Sequence, residues 1–534
     1  MAQQQPCRSS LLDQLRSGNN RFDIIVIGGG ITGAGIAREA AGSGLKTLLV
    51  EQRDFSWGTS SRSSKMVHGG LRYLGSGQFG LTKAAVRERQ RLLKEAPGLI
   101  NPQPFVMPHF RKQFPGPRLF GLLLWLYDRM AGEHSRRRLT TTETLQWVPG
   151  LSRSGLAAGS VFVDAVTDDA RLVQRTLEEA RRDGASCLNY VKVSQVLRQD
   201  GRARGVSLQD QADTNGTEFE AHADVVINAT GAWAGRLLAS EASLRPLRGS
   251  HLVVRHEVLP VSCAVSLLHP DDGRPVFAFP WHGTTVLGTT DLDHRLDLDQ
   301  EPHITQPEVD YLLRIATTLF PEHPIKVRDV LSSWAGVRPV VSSGDGKAPS
   351  RENREHVIWD EQGLISVAGG KLTTFRLIAR QVLQRSRDYL PSLRLRDSRL
   401  PVFTTTTAPP CPATIAATTW HRLTGFYGPA LEQVLASGPL TPVADSDTLW
   451  AELIWAAQHA DVVHLDDLLL RRTRLGLTLR DGGQGLLDQI REHCGPALGW
   501  NDSTWQAEIN RYRDLWQNGY APPGNLADAE SPAP

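Results

Sequence analysis

Cysteine is scarce and dispersed: five in 534 residues, at Cys7, Cys187, Cys263, Cys411 and Cys494, with no CxxC pair and no Cys/His cluster. A structural zinc site and a disulfide framework are therefore not expected, no metal is assigned, and the thiols suit a reducing cytosol. Long apolar runs are missing too. Nothing approaches the roughly twenty consecutive apolar residues of a membrane-spanning helix. The first twenty residues are polar and end in SGNN, without the apolar stretch behind a charged start that marks a secretory leader. Charge of one sign is also lacking. With 59 basic and 57 acidic residues the formal net charge is +2, which gives no electrostatic reason to expect nucleic acid.

What is present is an ordinary globular composition, 40% hydrophobic and 22% charged, in a chain long enough for two or three domains. Residues 22–28 (FDIIVIG) read as a buried strand, followed by a glycine turn, a helix over 32–43 and a strand over 47–50, a βαβ unit. A helix charged on one side is expected over 81–96. Another is expected over 170–182, capped by Thr167 or Asp168 and ended by Gly184. Strand-like runs at 191–197, 225–227, 251–254, 276–279 and 285–287 make the middle of the chain sheet-rich, with a mixed sheet. The Pro/Thr-rich stretch 401–414 reads as a linker. Beyond it, helical periodicity covers 448–460, 465–475, 486–493 and 503–516. The expected organisation is a flexible extension over 1–20, a cofactor domain interleaved with a substrate domain over 21–400, the linker, a helical domain over 415–520 and a disordered tail over 521–534.

Gly28-x-Gly30-x-x-Gly33 sits where the first strand turns into the helix. The first glycine allows the tight turn, the second lets backbone approach a pyrophosphate, and the third lets helix and strand pack closely. The N–H groups of Ile31 and Thr32 at the helix start suit an anion. Glu51, 18 residues beyond Gly33, can accept from ribose hydroxyls and would repel a 2′-phosphate. A dinucleotide other than NADP is expected. The distant segments VVINATG (225–231) and ISVAGGKLTT (365–374) suit the far contacts of a long flavin, although either could be an ordinary turn. The fingerprint itself does not separate FAD from NAD, and those segments only tip it toward flavin; the fold class expected is α/β of mixed α+β character: a Rossmann-like FAD-binding domain, a mixed-sheet substrate domain and a small all-helical C-terminal domain.

Segment 23–74, and above all its TSSRSSK (59–65) and HGGLRYL (68–74) stretches, closely resembles the FAD-dependent glycerol-3-phosphate dehydrogenases. Further matches follow in order: VTDDAR (166–171), NATGAW (228–233), GSH (249–251), GTTD (288–291), GVRP (336–339), REHV (354–357), GGKLTT (369–374) and RRTRLG (471–476). The resemblance runs from about residue 22 to 520. It implies oxidation of sn-glycerol 3-phosphate to dihydroxyacetone phosphate, with FAD as cofactor and a membrane quinone as electron acceptor. It also implies a place in the cytoplasm, peripherally associated with the inner face of the cell membrane. A homodimer is one assembly to expect.

For the hydroxyl proton, His251 in GSH is the leading candidate base, since neutral imidazole suits the task near pH 7; a structural histidine is the competing reading. Arg338 in GVRP suits a developing alkoxide. Arg72, Tyr73, Arg354 and Lys371 are candidates for the phosphate, which needs several donors; Lys371 could instead bond the flavin ring. Ser60, Ser61, Ser64 and Lys65 are placed along the flavin's phosphate and ribityl region. His68, Gly69, Gly70, Thr230, Gly231, Gly369, Gly370, Leu372 and Thr373 complete the expected cofactor contacts.

Residues 111–130 (RKQFPGPRLFGLLLWLYDRM) join basic residues to a compact apolar run. As a helix, 119–127 would span only about 13 Å against a hydrocarbon core of about 30 Å, so it cannot cross. It is either a buried core helix or an interfacial one, with Trp125 and Tyr127 at headgroup level and Arg111, Lys112, Arg118 and Arg129 toward anionic lipid; the resemblance favours the membrane surface. Rival functions are a glycerol-3-phosphate oxidase that reduces oxygen, an amine or amino-acid oxidase, and a catalytically silent flavoprotein scaffold.

Overall fold

The apolar run at the start of the fingerprint forms strand Arg21–Ile27, and from Ile24 onward every residue is buried, as a strand inside a parallel sheet requires. This computed structural model describes residues 8–18, 20–75, 77–213, 216–238, 244–341 and 355–523. Arg354 and 524–534, read above as a phosphate ligand and as the greater part of the tail, lie outside the described residues, as does the side chain of Arg72. Helix Ile31–Ala41 follows the first strand, and strand Thr47–Val50 lies parallel to it, with Ile24 opposite Thr47 and Ile27 opposite Val50. The expected βαβ unit is present.

Among the described residues the first sheet has eight strands. Its main path runs Val357–Glu361, Leu364–Ala368, Phe219–Asn228, Arg21–Ile27, Thr47–Val50 and Ser186–Leu188, and the hairpin Val191–Gln199/Arg202–Asp210 joins Phe219–Asn228. Helices Ile31–Ala41, Asp169–Arg182 and Phe375–Arg385 contribute Ala37, Leu172, Val173, Ile378 and Val382 to one buried core with the strand residues Ile24 and Val26. Asp168 caps the second of these helices, its carboxylate accepting from the Arg171 N–H at 2.8 Å, as the sequence suggested.

The second sheet, ten-stranded among the described residues, is mixed. Its two long strands Leu244–Arg255 and Val330–Val341 pair antiparallel, with Leu247 opposite Arg338, Gly249 opposite Gly336 and His251 opposite Trp334. Alternation along a strand divides the residues between faces. Arg248, Ser250, Leu252 and Val254 turn toward helix Gln306–Leu319. His251 and Val253 turn the other way, and Val253 and Trp334 join the core that serves the first sheet. This division is what puts His251 on the cofactor side.

The C-terminal part is all-helical, with helices Ala417–Tyr427, Leu431–Ala436, Trp450–His459, Leu487–Leu498 and Asp502–Gly519. The continuous helix expected over 465–475 is corrected: Asp467–Arg472 is a π-helical turn, Arg474 has φ +62°, and a short helix Leu475–Thr478 follows. The irregularity lets neighbouring arginines reach different buried acids. Arg472 makes two bonds to Asp54, at 2.6 and 2.8 Å, and Arg471 bonds Asp54 and Asp467 at 2.5 Å each. Arg474 turns to Asp168 at 3.0 Å and to Asp169.

Two further expectations change. Helix Arg8–Arg16 replaces a flexible extension over that stretch, because Leu12 and Leu15, three apart on one face, are buried against the first sheet and Arg8 pairs with Asp210 at 2.5 Å. The stretch 401–414 has no helix or strand, yet it is strapped down rather than loose. Val402 and Phe403 are buried, the Val402 N–H donates to Glu95 at 2.7 Å, and the Thr404 hydroxyl donates to Glu179 at 2.6 Å.

Burial alone would raise the Asp54 carboxyl, but the Arg472 and Arg471 guanidiniums outweigh it and hold the group at about 2. Its stabilising effect is therefore full above the ordinary value of 3.8 and is lost as pH falls toward 2. Asp54→Ala should cost about 3–5 kcal/mol in urea denaturation at neutral pH, because the buried Arg472 loses its carboxylate and Arg471 one of its three. Its stability should also decline less steeply than the wild type's over that acid window.

Candidate active site

The fingerprint turn forms a cradle that side chains would fill. Gly28 has φ +111°, and a Cβ there would sit 2.6 Å from the Ala229 carbonyl oxygen. A Cβ on Gly33 would strike the Gly28 carbonyl, and one on Gly30 would sit 3.1 Å from the Ser60 hydroxyl. Ser60 Oγ accepts from the Ile31 N–H at 3.0 Å, so a hydroxyl oxygen occupies the anion position at the helix start. Glu51 accepts from the N–H groups of Gly29 at 2.7 Å and Arg53 at 2.9 Å. Burial raises its carboxyl above the ordinary value against the pull of those two bonds. A cleft of about 290 Å³ runs from this turn past Thr230 and Gly231 to Gly369, Gly370, Lys371 and Leu372. Its wall also holds Trp57, Trp233 and Arg236, none of which the sequence singled out.

The far end of the cleft is built by two segments some 300 residues apart. Gly369 and Gly370, at φ +81° and +84°, turn strand Leu364–Ala368 into helix Phe375–Arg385, a conformation that favours glycine. The Thr373 hydroxyl accepts from the His68 N–H at 3.1 Å and donates to the His68 carbonyl at 3.2 Å. The Lys371 ammonium lies 3.3 Å from the centroid of the Tyr73 ring, and a Cβ on Gly70 would meet both groups. Tyr73 and Lys371 are thus brought together. Arg72 lies on the same short helix, Leu71–Gly75. Gly69 packs so close to Tyr127 and Val86 that no side chain fits, and its N–H donates to Asp164 at 3.1 Å.

His251 and Arg338 occupy a sheet face cleared by three glycines. A Cβ on Gly288 would enter the His251 ring, one on Gly249 would strike the Arg338 guanidinium, and one on Gly336 would strike the Arg62 backbone. His251 stacks on Trp334, with centroids 4.9 Å apart and planes at 18°. Its side chain is 1% exposed, Nε2 lies 2.9 Å from Ser64 Oγ, and Nδ1 has no hydrogen-bond partner. Burial, then the positive charges of Arg338 and Lys65, hold the imidazole well below its ordinary value. It is neutral near pH 7. Arg338 donates to Asp291 at 2.9 Å and to Thr289 Oγ1 at 3.2 Å. Beneath the strand, buried Glu308 accepts from Arg248, Ser250 and Thr290 at 2.7–2.8 Å, fixing the GSH and GTTD segments to one helix.

Among the expected cofactor residues, Gly28, Gly30, Ile31, Thr32, Glu51, Ser60, Thr230, Gly231, Gly369, Gly370, Lys371 and Leu372 line the cleft. Gly33, Gly69 and Gly70 shape it through close backbone approach, and the Thr373 hydroxyl holds the His68 backbone. Three placements are corrected. Lys65 is fully buried, its ammonium donating to Asp169 at 2.8 and 3.0 Å and to the Ser61 carbonyl at 2.6 Å. Ser61 offers that carbonyl to Lys65 and to Arg474, at 3.3 Å, instead of lining the cleft. Ser64 serves His251. The sequence also missed Trp334, Glu308 and the pairing of Arg338 with Asp291. The last was the most accessible, because GTTD carries an acid with no assigned role.

This combination defines a dinucleotide-binding oxidoreductase scaffold. A family profile described as FAD dependent oxidoreductase matches residues 23–385, and a second, described as the C-terminal domain of alpha-glycerophosphate oxidase, matches 368–505. The aerobic glycerol-3-phosphate dehydrogenase of Bacillus subtilis is 39% identical over 378 residues, covering 69% of this chain and 67% of its own. Glycerol-3-phosphate dehydrogenase 2 of Mycobacterium bovis is 33% identical over 524 residues, covering 93% and 88%. The crystal structure of the glycerol-3-phosphate dehydrogenase from Bacillus halodurans complexed with FAD superposes with a TM-score of 0.74 at 27% identity, covering 96% of this chain and 97% of that one. The chain belongs to the FAD-dependent glycerol-3-phosphate dehydrogenase family, and its cofactor is FAD. The cradle fits that group: Gly28 and Gly33 leave no room for a Cβ and Gly30 little, the helix start at Ile31 and Thr32 lines the cleft, and the acid Glu51 lines it where a ribose would be met.

Gly33→Val would force the helix off the Gly28 carbonyl, an overpacking cost of about 1–3 kcal/mol. The purified variant should carry at least about fivefold less FAD than the wild type, measured by flavin absorbance against protein.

Proposed function

We propose that the chain oxidises sn-glycerol 3-phosphate to dihydroxyacetone phosphate and that the electrons pass to a membrane quinone. The observation that carries this reading is the glycine-cleared sheet face, which holds a neutral buried imidazole and a guanidinium against the cofactor cleft: Pro339, next to Arg338, and Ser63, next to the Ser64 that meets His251, both line it. Oxidising a secondary alcohol removes a hydride from carbon and a proton from oxygen. FAD, when bound, supplies the acceptor for the hydride. His251 takes the hydroxyl proton on Nδ1, the nitrogen with no hydrogen-bond partner, in the tautomer whose Nε2–H donates to the Ser64 hydroxyl. Arg338, oriented by Asp291 and Thr289, stabilises negative charge developing on the substrate oxygen. Lys371 holds the phosphate with Arg72, Arg354 and the Tyr73 hydroxyl.

Adding glycerol 3-phosphate anaerobically to the purified protein should bleach the flavin, and a soluble quinone should restore its colour. Arg338→Ala should retain FAD yet lower kcat by about 100-fold or more. Near-normal turnover in that variant would remove Arg338 from its role. Stoichiometric hydrogen peroxide in air, with no quinone reduction, would make the enzyme an oxidase.

Attachment to the inner face of the membrane through 111–130 belongs to the same reading. No helix among the described residues is long and apolar enough to cross a membrane. Helix Pro117–Ala131 buries Phe120 and Leu124, and also Tyr127, which is 1% exposed and donates to Asp164 at 2.7 Å. Tyr127 is therefore corrected from headgroup contact to core. The opposite face exposes Leu119, Leu122 and Trp125, flanked by Phe114, Arg111, Lys112, Arg118 and Arg129, the amphipathic pattern of an interfacial helix. Replacing Leu122 and Trp125 together with Asp should weaken co-sedimentation with anionic vesicles by about tenfold or more. Unchanged partitioning of the double variant would defeat the membrane assignment.

A further inference from the structure

We infer that Lys65, held by Asp169 and through it by Arg474 of the helical C-terminal part, is a positioning residue for His251. The inference rests on the reading of His251 as the proton acceptor. Lys65 touches neither cleft nor imidazole. Its ammonium lies 4.5 Å from the centroid of the Trp334 ring, and His251 is stacked on that same ring. Ser64, its neighbour in sequence, meets His251 Nε2 at 2.9 Å. One residue thus sets both the loop that meets Nε2 and the charge beside the shared indole.

A lysine with no exposure needs a reason to be charged there. Asp169 provides it, accepting from the ammonium at 2.8 and 3.0 Å, and Arg474 closes the cluster through Asp168 and Asp169. Around these groups, His282 faces Asp168 at 3.4 Å, and Arg338 is the other cation that acts on His251. A second positive charge on the Trp334 stack would be repelled by Lys65 and Arg338 together, so the imidazole resists protonation. Burial, only partly offset by Asp169, lowers Lys65 itself to about 8, so it carries its charge throughout the acid range where His251 would titrate.

The sign follows. Neutral imidazole is the working form, and activity fails as falling pH protonates it. A charge that lowers the His251 value extends activity to lower pH. Removing that charge moves the acid limb of kcat/KM upward.

The test is the pH profile of kcat/KM for glycerol 3-phosphate in FAD-loaded Lys65→Gln and Lys65→Met, with Lys65→Arg as the charge-keeping control and His251→Gln as the reference. In the wild type the acid limb should lie well below pH 6.5. In both neutral variants it should rise by about one pH unit, and Lys65→Arg should restore it. An unmoved limb in flavin-loaded Lys65→Gln or Lys65→Met overturns the inference. If both neutral variants fail to load FAD while Lys65→Arg loads it, the charge is structural only and the inference is again overturned. The His251→Gln profile separates the two ideas. A limb unchanged there sinks the proton-acceptor reading itself, whereas loss of that limb beside an unmoved Lys65 profile sinks only the role of Lys65.

Discussion

Three arginines in one short stretch, Arg471, Arg472 and Arg474, face three buried carboxylates, Asp54, Asp168 and Asp169, that belong to the cofactor-binding part of the chain. Removing each charge from water costs several kcal/mol, and only near-complete pairing offsets it. The cluster therefore has no stable half-made form. Asp54 lies just beyond Glu51 and the second strand of the βαβ unit, while Asp168 and Asp169 start the helix that packs beside the fingerprint helix. The helical C-terminal part is consequently a structural wall of the oxidoreductase domain. Through Asp169 and Lys65 its influence reaches the loop that carries Ser60 at one end and Ser64 at the other.

The reacting groups depend on that wall and on the period of a β-strand. On strand Leu244–Arg255, Arg248 and Ser250 turn down to Glu308 while His251 turns up to Trp334. A slip of one residue would exchange them and put the imidazole under the sheet. Glu308 opposes that slip, since its carboxylate gathers donors from the strand and from the neighbouring GTTD turn. Glycines 249, 288 and 336 leave the upper face open for an imidazole and a guanidinium to lie flat.

Much of the cradle was legible in the sequence because its determinants are local. A strand, a glycine turn, a helix and an acid follow within thirty-odd residues, and the structure reproduces the strand over Thr47–Val50. The cap at Asp168 and most of the C-terminal helices were legible for the same reason. What escaped depends on residues far apart in sequence. Lys65 looked like a phosphate ligand because it stands in a serine-rich turn, and nothing near it announces Asp169 as its partner. Tyr127 carries the same apolar and aromatic signal as Trp125, and only the position of Asp164 tells which of them turns inward. The π-helical turn at Asp467–Arg472 was invisible because its leucines alone read as a regular helix.

The reciprocal pair of hydrogen bonds between His68 and Thr373 sets an order of events in the life of the chain. The HGG loop leaves the ribosome early, yet the hydroxyl that holds its backbone is made about 300 residues later. The arginines that neutralise Asp54, Asp168 and Asp169 come later still. At about 5–20 residues per second, some 15 to 60 seconds separate the two halves of that one bridge. Even once strand Phe219–Asn228 has joined the first strand, the glycine turn waits for its far wall. A nascent chain halted before residue 368 would have the fingerprint but not Gly369, Gly370, Lys371 and Leu372, the wall that closes the cleft at its other end.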